Sequence, residues 1–137
     1  MATPLNLMGL GEPAATANRV GTLVQAITCQ GATRASAANI PGQQCAVYVN
    51  ASNSGSGLLL PTVGGDITAT GGILLGDLVS VINLQAQSII VYAPAGSTFT
   101  GDGVSTDGAV GTSVAALRNV EFMPITASTW IAFKGSA

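Results

Sequence analysis

The residue types that carry most enzymatic chemistry are scarce or missing in this sequence. It contains no histidine, the side chain whose ordinary pKa best suits proton transfer at neutral pH. Ser-His and Cys-His nucleophile pairs are therefore excluded. A Ser-Lys pair would have to use Lys134, which stands near the C-terminus with no motif around it. Two carboxylates lie close together in the run Thr100-Gly-Asp-Gly-Val-Ser-Thr-Asp-Gly108, as Asp102 and Asp107. Each precedes a glycine, which is ordinary turn chemistry. A Ca²⁺ ion, taking about six to eight oxygens, is the sharper alternative. The spacing is not that of an EF-hand, and no Gly-Gly-x-Gly-x-Asp repeat is present, so turn structure is the favoured reading.

Cys29 and Cys45 are the two cysteines of the chain. They are too few and too widely spaced for a zinc site, and without histidine a Cys/His site is excluded. Two buried thiols in a protein made in a reducing cytoplasm is favoured over a disulfide, which would need their strands to be neighbours. The pair Gly9-Leu10-Gly11 lacks both the third glycine and the Lys-Ser/Thr of a phosphate loop. Asn50-Ala51-Ser52 fits a glycosylation sequon, but Met1-Ala2-Thr3-Pro4-Leu5 shows neither the basic nor the apolar region of a secretory signal. The sequon is read as incidental. No catalysis, no cofactor and no metal are expected.

Composition points the same way. Only 7% of the 137 residues are charged, against about 25% in an ordinary soluble domain. Ser, Thr, Asn, Gln, Gly and Ala must clothe the surface instead, and so thin a charge coat protects poorly against association. Much of the surface is expected to be covered by partners. The four cations, Arg19, Arg34, Arg118 and Lys134, are scattered, and the net charge is −2. With no basic stripe to neutralise phosphates, nucleic acid is set aside as a partner. The longest apolar stretch, Ile73 to Leu84, is broken by Asp77 and falls short of the ~18–20 residues of a membrane span, so no membrane partner is expected either.

The elements that would position these residues read as strands. Residues 1–19, with Pro4, Gly9, Gly11 and Pro13, are read as an extended N-terminal arm, and 20–137 as a single β-domain. Val20 to Cys29 and Cys45 to Asn50 mix β-branched and apolar residues between turn signals. Gln30 to Gln44 reads as a loop, with one short helical turn at Ala35 to Asn39. Asp77–Asn83 and Ser88–Ala93 read as a hairpin closed by the four residues Leu84-Gln-Ala-Gln87. In the first of these, Leu78, Ser80 and Ile82 face one side while Val79, Val81 and Asn83 face the other. Both faces are mostly apolar, which suits a strand between layers or one whose outer face meets a partner. Gly96 to Gly111 reads as a long loop, followed by short strands at Ser113–Leu117, Arg118–Ile125 and Thr129–Lys134, the last placing Trp130 as a core plug. About eight short strands and 18 glycines predict an all-β sandwich or jelly roll.

Several segments taken in order carry a family resemblance: Leu60-Pro61, Gly76-Asp-Leu-Val-Ser-Val-Ile-Asn83, Ser88-Ile-Ile-Val-Tyr-Ala-Pro-Ala-Gly96, Thr100-Gly-Asp-Gly103 and Thr129-Trp-Ile-Ala132. Over residues 58 to 134 the chain resembles small virion structural proteins of tailed bacteriophages, in particular capsid decoration or cement proteins. That resemblance implies a β-sandwich that assembles as a homotrimer on the capsid exterior, after synthesis in the cytoplasm of the host bacterium. It also implies the major capsid protein as partner. A head-fibre base or tail-associated subunit is the alternative within structural proteins. A carbohydrate- or receptor-binding module ranks lower, because aromatics make up only 4% of residues. The residues selected for inter-subunit or capsid contact are Pro4, Leu5, Leu7, Leu10 and Pro13 in the arm and the apolar run Leu58, Leu59 and Leu60.

Overall fold

The computed structural model describes residues 23–42, 45–64, 72–101 and 104–134. The expected arm, with Pro4, Leu5, Leu7, Leu10 and Pro13, lies outside these residues, as does Asp102. All regular structure among the described residues is β. The strands are β1 (Leu23–Thr28), β2 (Ala38–Asn39), β3 (Cys45–Ala51), β4 (Gly57–Leu59), β5 (Thr62–Val63) and β6 (Gly72–Ile73), followed by β7 (Val79–Asn83), β8 (Ile89–Tyr92), β9 (Thr98–Thr100), β10 (Thr112–Val114), β11 (Asn119–Thr126) and β12 (Thr129–Lys134). They form a six-stranded sheet in the order β1-β3-β7-β11-β12-β9, a four-stranded sheet β10-β8-β4-β2, and the small pair β5-β6.

The chain winds between the two larger sheets. β1, β3 and β7 enter the six-stranded sheet side by side and parallel, and β2, β4 and β8 do the same in the four-stranded sheet. Leu23, Cys45 and Val79 consequently stand in one register row, and Ala38, Leu58 and Val91 in another. The result is a flattened parallel coil, with β5 and β6 as an excursion from its second turn. The chain then reverses. β10 lies antiparallel on β8, β11 lies antiparallel on β7, and β11 returns through a tight hairpin at Ala127-Ser128 into β12. Pro124, a residue that cannot donate to a ladder, sits just past the point where β7 stops pairing with β11.

This pairing corrects two expectations. β7 and β8 form no hairpin, because they belong to different sheets and the link between them is a crossover. A jelly roll joins antiparallel strands, whereas six of the described pairings are parallel and the sheets are mixed. The helical turn expected at Ala35–Asn39 is instead a turn at Thr33–Ser36, where the Ser36 N–H donates to the Thr33 carbonyl at 3.2 Å, followed by β2.

Alternation builds the core. Val79, Val81 and Asn83 point inward from β7 and are fully buried, while Ser80 and Ile82 stay half-buried on the other face. Val47, Val49, Phe99, Phe122 and Trp130 from the six-stranded sheet meet Leu58, Ile89, Val91 and Val114 from the four-stranded one in a single cluster. The Phe99 and Phe122 rings pack tilted at 5.8 Å. Gly57 lets the Tyr92 ring cross β4, since a Cβ there would lie 2.5 Å from Cε2 of that ring. The Tyr92 hydroxyl then donates to the Ala32 carbonyl at 3.0 Å and ties the loop after β1 to the coil.

Candidate functional site

Of the residues that looked chemical in the sequence, Asp107 and Cys29 serve the fold. Asp107 closes a turn: its Oδ1 accepts the Ala109 N–H at 2.9 Å and its carbonyl accepts those of Val110 and Gly111 at 3.1 Å. No group of three or more His, Cys, Asp or Glu side chains converges among the described residues. Cys29 is a free, buried thiol, and burial pushes its pKa up to about 11. Cys45 pairs with Leu23 at one end of the β1–β3 ladder, and Cys29 follows the opposite end. At ~3.3 Å per residue their backbones lie about 20 Å apart, beyond the reach of a disulfide. Trp130 is the fully buried plug expected of it.

The selected run Leu58–Leu60 is also absorbed by the fold. β4 lies between β8 and β2, so Leu58 and Leu60 are buried in the core and only Leu59 keeps part of its surface. Leu58 and Leu60 belong to the hydrophobic core of the chain. A run of leucines reads as sticky when alone, but in an interior strand it fills the centre of the molecule.

The apolar surface lies elsewhere, on the outer face of the six-stranded sheet. Register places Val24, Ala46, Ser80, Glu121 and Phe133 in one row across five strands, and Ala26, Tyr48, Ile82 and Asn119 in the next. Met123 and Ile131 form a third pair beside Thr100. Val24 is 64% exposed and Phe133 46%. Across these rows Glu121 is the one charged side chain.

An open groove of about 440 Å³ runs along this face where it meets the crossovers between sheets. Ala46, Ser80 and Ile82 line it, Leu84 and Leu117 also contribute, and Arg118 and Glu121 bring opposite charges. Two interactions hold the groove wall. The Asn83 N–H donates to the Arg118 carbonyl at 2.8 Å, and the Arg118 N–H closes a turn on the Ala115 carbonyl at 3.2 Å. That turn puts Leu117 at φ 58°, alone among described non-glycine residues in having positive φ. Holding a leucine there costs about 1–3 kcal/mol, and the side chain so held is 73% exposed. Leu84 is 54% exposed. Arg118 and Glu121 share the groove without forming an ion pair.

Comparison with protein families, curated proteins and solved structures gives no match. The surface itself therefore carries the functional reading. It offers apolar side chains in register rows and a groove that holds one carboxylate and one guanidinium. No described helix is long and apolar enough to cross a membrane. Of the cations, Arg34, Arg118 and Lys134 are described and form no basic stripe.

Proposed function

We propose that this chain is a non-enzymatic structural subunit of a virion, a decoration or cement protein on the capsid exterior that binds copies of itself and the major capsid protein. The observation that carries the reading is the outer face of the six-stranded sheet, where Val24, Tyr48, Ile82, Met123 and Phe133 bring apolar surface from five strands and Ser80, Asn119 and Glu121 stand among them. Apolar side chains gathered on one face mark association sites, whereas singly scattered ones do not. The low charge of the whole chain and the ordered segments from Leu60-Pro61 to Thr129-Trp-Ile-Ala132 support the same reading. Such a protein works by adding buried contact area: at roughly 25 cal/mol per Å² of apolar surface, a modest footprint repeated by symmetry resists the pressure of packaged DNA. A homotrimer, as the resemblance implies, would have to form through other patches, since a three-fold contact joins two different surfaces. A head-fibre base or tail-associated role would use the same surface.

The test is co-sedimentation with emptied heads of the virus whose genome encodes the chain, assembled without it. Saturable binding at symmetry-related sites, and a higher rupture temperature for DNA-filled heads, is the expected result. Absence of binding at micromolar concentration would overturn the proposal.

A further inference from the structure

We infer that the outer face of the six-stranded sheet is where two copies of this chain meet about a two-fold axis through the groove, Glu121 of each copy pairing with Arg118 of the other. The inference rests on the reading of the chain as an assembly subunit and names the partner of that surface. Three observations support it.

The first is charge. Arg118 and Glu121 line one groove, opposite in sign and not paired with each other. A two-fold contact sets residue i against j and j against i, so a groove holding one carboxylate and one guanidinium is complementary to its own rotated copy. Two ion pairs close at once and no charge is left over. A foreign partner would have to supply the same two charges in mirrored order.

The second is size. Five strands, β1, β3, β7, β11 and β12, at about 4.8 Å each, give a face about 24 Å across, and β3 at ~3.3 Å per residue sets a length near 23 Å. The flat footprint is on the order of 550 Å², and the relief of Leu78, Leu84 and Leu117 brings it toward the roughly 800 Å² per partner of a standard interface. The third is the position of the protruding residues. Leu84 and Leu117 stand at the groove that also holds the charges. In the paired state they exclude water from the ion pairs, which is what makes a charge pair contribute to affinity.

The experiment is sedimentation velocity and light scattering over a dilution series of the full chain and of E121R, R118E and the double variant E121R/R118E. The wild type is expected to run as a dimer. Each single reversal sets like charges against each other and weakens self-association at least about tenfold, and the double variant restores it. Leu117→Asn tests the protruding leucine with a residue that tolerates positive φ, and is expected to weaken the dimer without lowering the melting temperature of the monomer. Circular dichroism melts confirm that each variant folds. A wild type that stays monomeric, or self-association indifferent to both single reversals, overturns the two-fold pairing. Binding to emptied heads is measured in parallel. Heads still bound by a chain whose self-association ignores the reversals would sink the pairing alone, whereas a charge-sensitive dimer that ignores heads would sink the decoration role and leave the pairing standing.

Discussion

Asn83 is the residue whose loss should unbalance this fold most for its size. It ends β7 at the crossover into the four-stranded sheet and is fully buried. Its Nδ2 donates to the Gln87 carbonyl at 2.8 Å and to those of Val114 and Ala115 at 3.1 Å each. Its Oδ1 accepts the Gln85 N–H at 3.0 Å. One amide thus joins the crossover to the end of β10 and fixes the groove wall beside Arg118. Removing it in Asn83→Ala loses about three net hydrogen bonds at ~1 kcal/mol each and leaves buried carbonyls short of donors, for about 3–5 kcal/mol in all. At this chain length that is a fall in melting temperature of roughly 12–20 °C. Asn83→Asp keeps the shape and removes the donors, so carboxylate oxygens face carbonyl oxygens. The aspartate in the folded state then has a pKa raised above its unfolded value of about 3.9. A raised carboxyl pKa means stability that is full below that unfolded value and lost as pH rises through the folded one. The deficit of Asn83→Asp against wild type should therefore shrink on acidification from neutral pH toward about 4. Denaturant titrations of the three proteins at both pH values, at fixed protein concentration, read this directly. A loss under about 1 kcal/mol for Asn83→Ala, or a pH-independent deficit for Asn83→Asp, would refute the assignment of Asn83 as the tie between the sheets.

Two further outcomes are expected from single buried groups. Thr112 is buried with its Oγ1 unpartnered, so Thr112→Val, which keeps the β-branch, should stabilise by about 1 kcal/mol. A fall in melting temperature would show that the hydroxyl is bonded. Burial raises the Cys29 thiol from an ordinary value of 9.0 to about 11, so the folded state holds this proton more tightly than the unfolded one. Its contribution is full below pH 9.0 and lost as pH climbs to about 11. Cys29→Ala should flatten the decline of the denaturant midpoint over that window, and an unchanged slope would count against burial of the thiol.

Where local chemistry sufficed, the sequence was legible. Alternation in Val79–Asn83 named the inward and outward residues of β7 correctly, and Thr129–Lys134 emerged as a strand with Trp130 in the core. Partner choice was not legible. Leu84-Gln-Ala-Gln87 has the length of a hairpin loop and equally of a crossover, and the decision rests on Asn83 reaching Val114 and Ala115, about thirty residues further along the chain. Leu58–Leu60 misled for a related reason, because exposure of an apolar run depends on whether its strand lies inside a sheet. The outer face left one local trace, the apolar character of both sides of residues 78–83. Recognising it as a surface required the register that sets Val24, Ala46, Ser80, Glu121 and Phe133 in a row.

A chain with so few charges faces a conflict between assembling and aggregating. Apolar rows attract any other apolar surface, and hydrophobic burial has no direction of its own. Glu121 supplies the discrimination. A docking that covers this face while holding every cation away from Glu121, its own Arg118 included, buries a bare carboxylate, at a cost of about 3–5 kcal/mol, comparable to the gain from roughly 120–200 Å² of apolar contact. Pairing in the proposed register avoids that cost twice, once for each copy, because Arg118 lies in the same groove. In the proposed dimer the single carboxylate would thus disfavour contacts that leave it without a cation, and the apolar face would drive association while the charge pair selects its geometry.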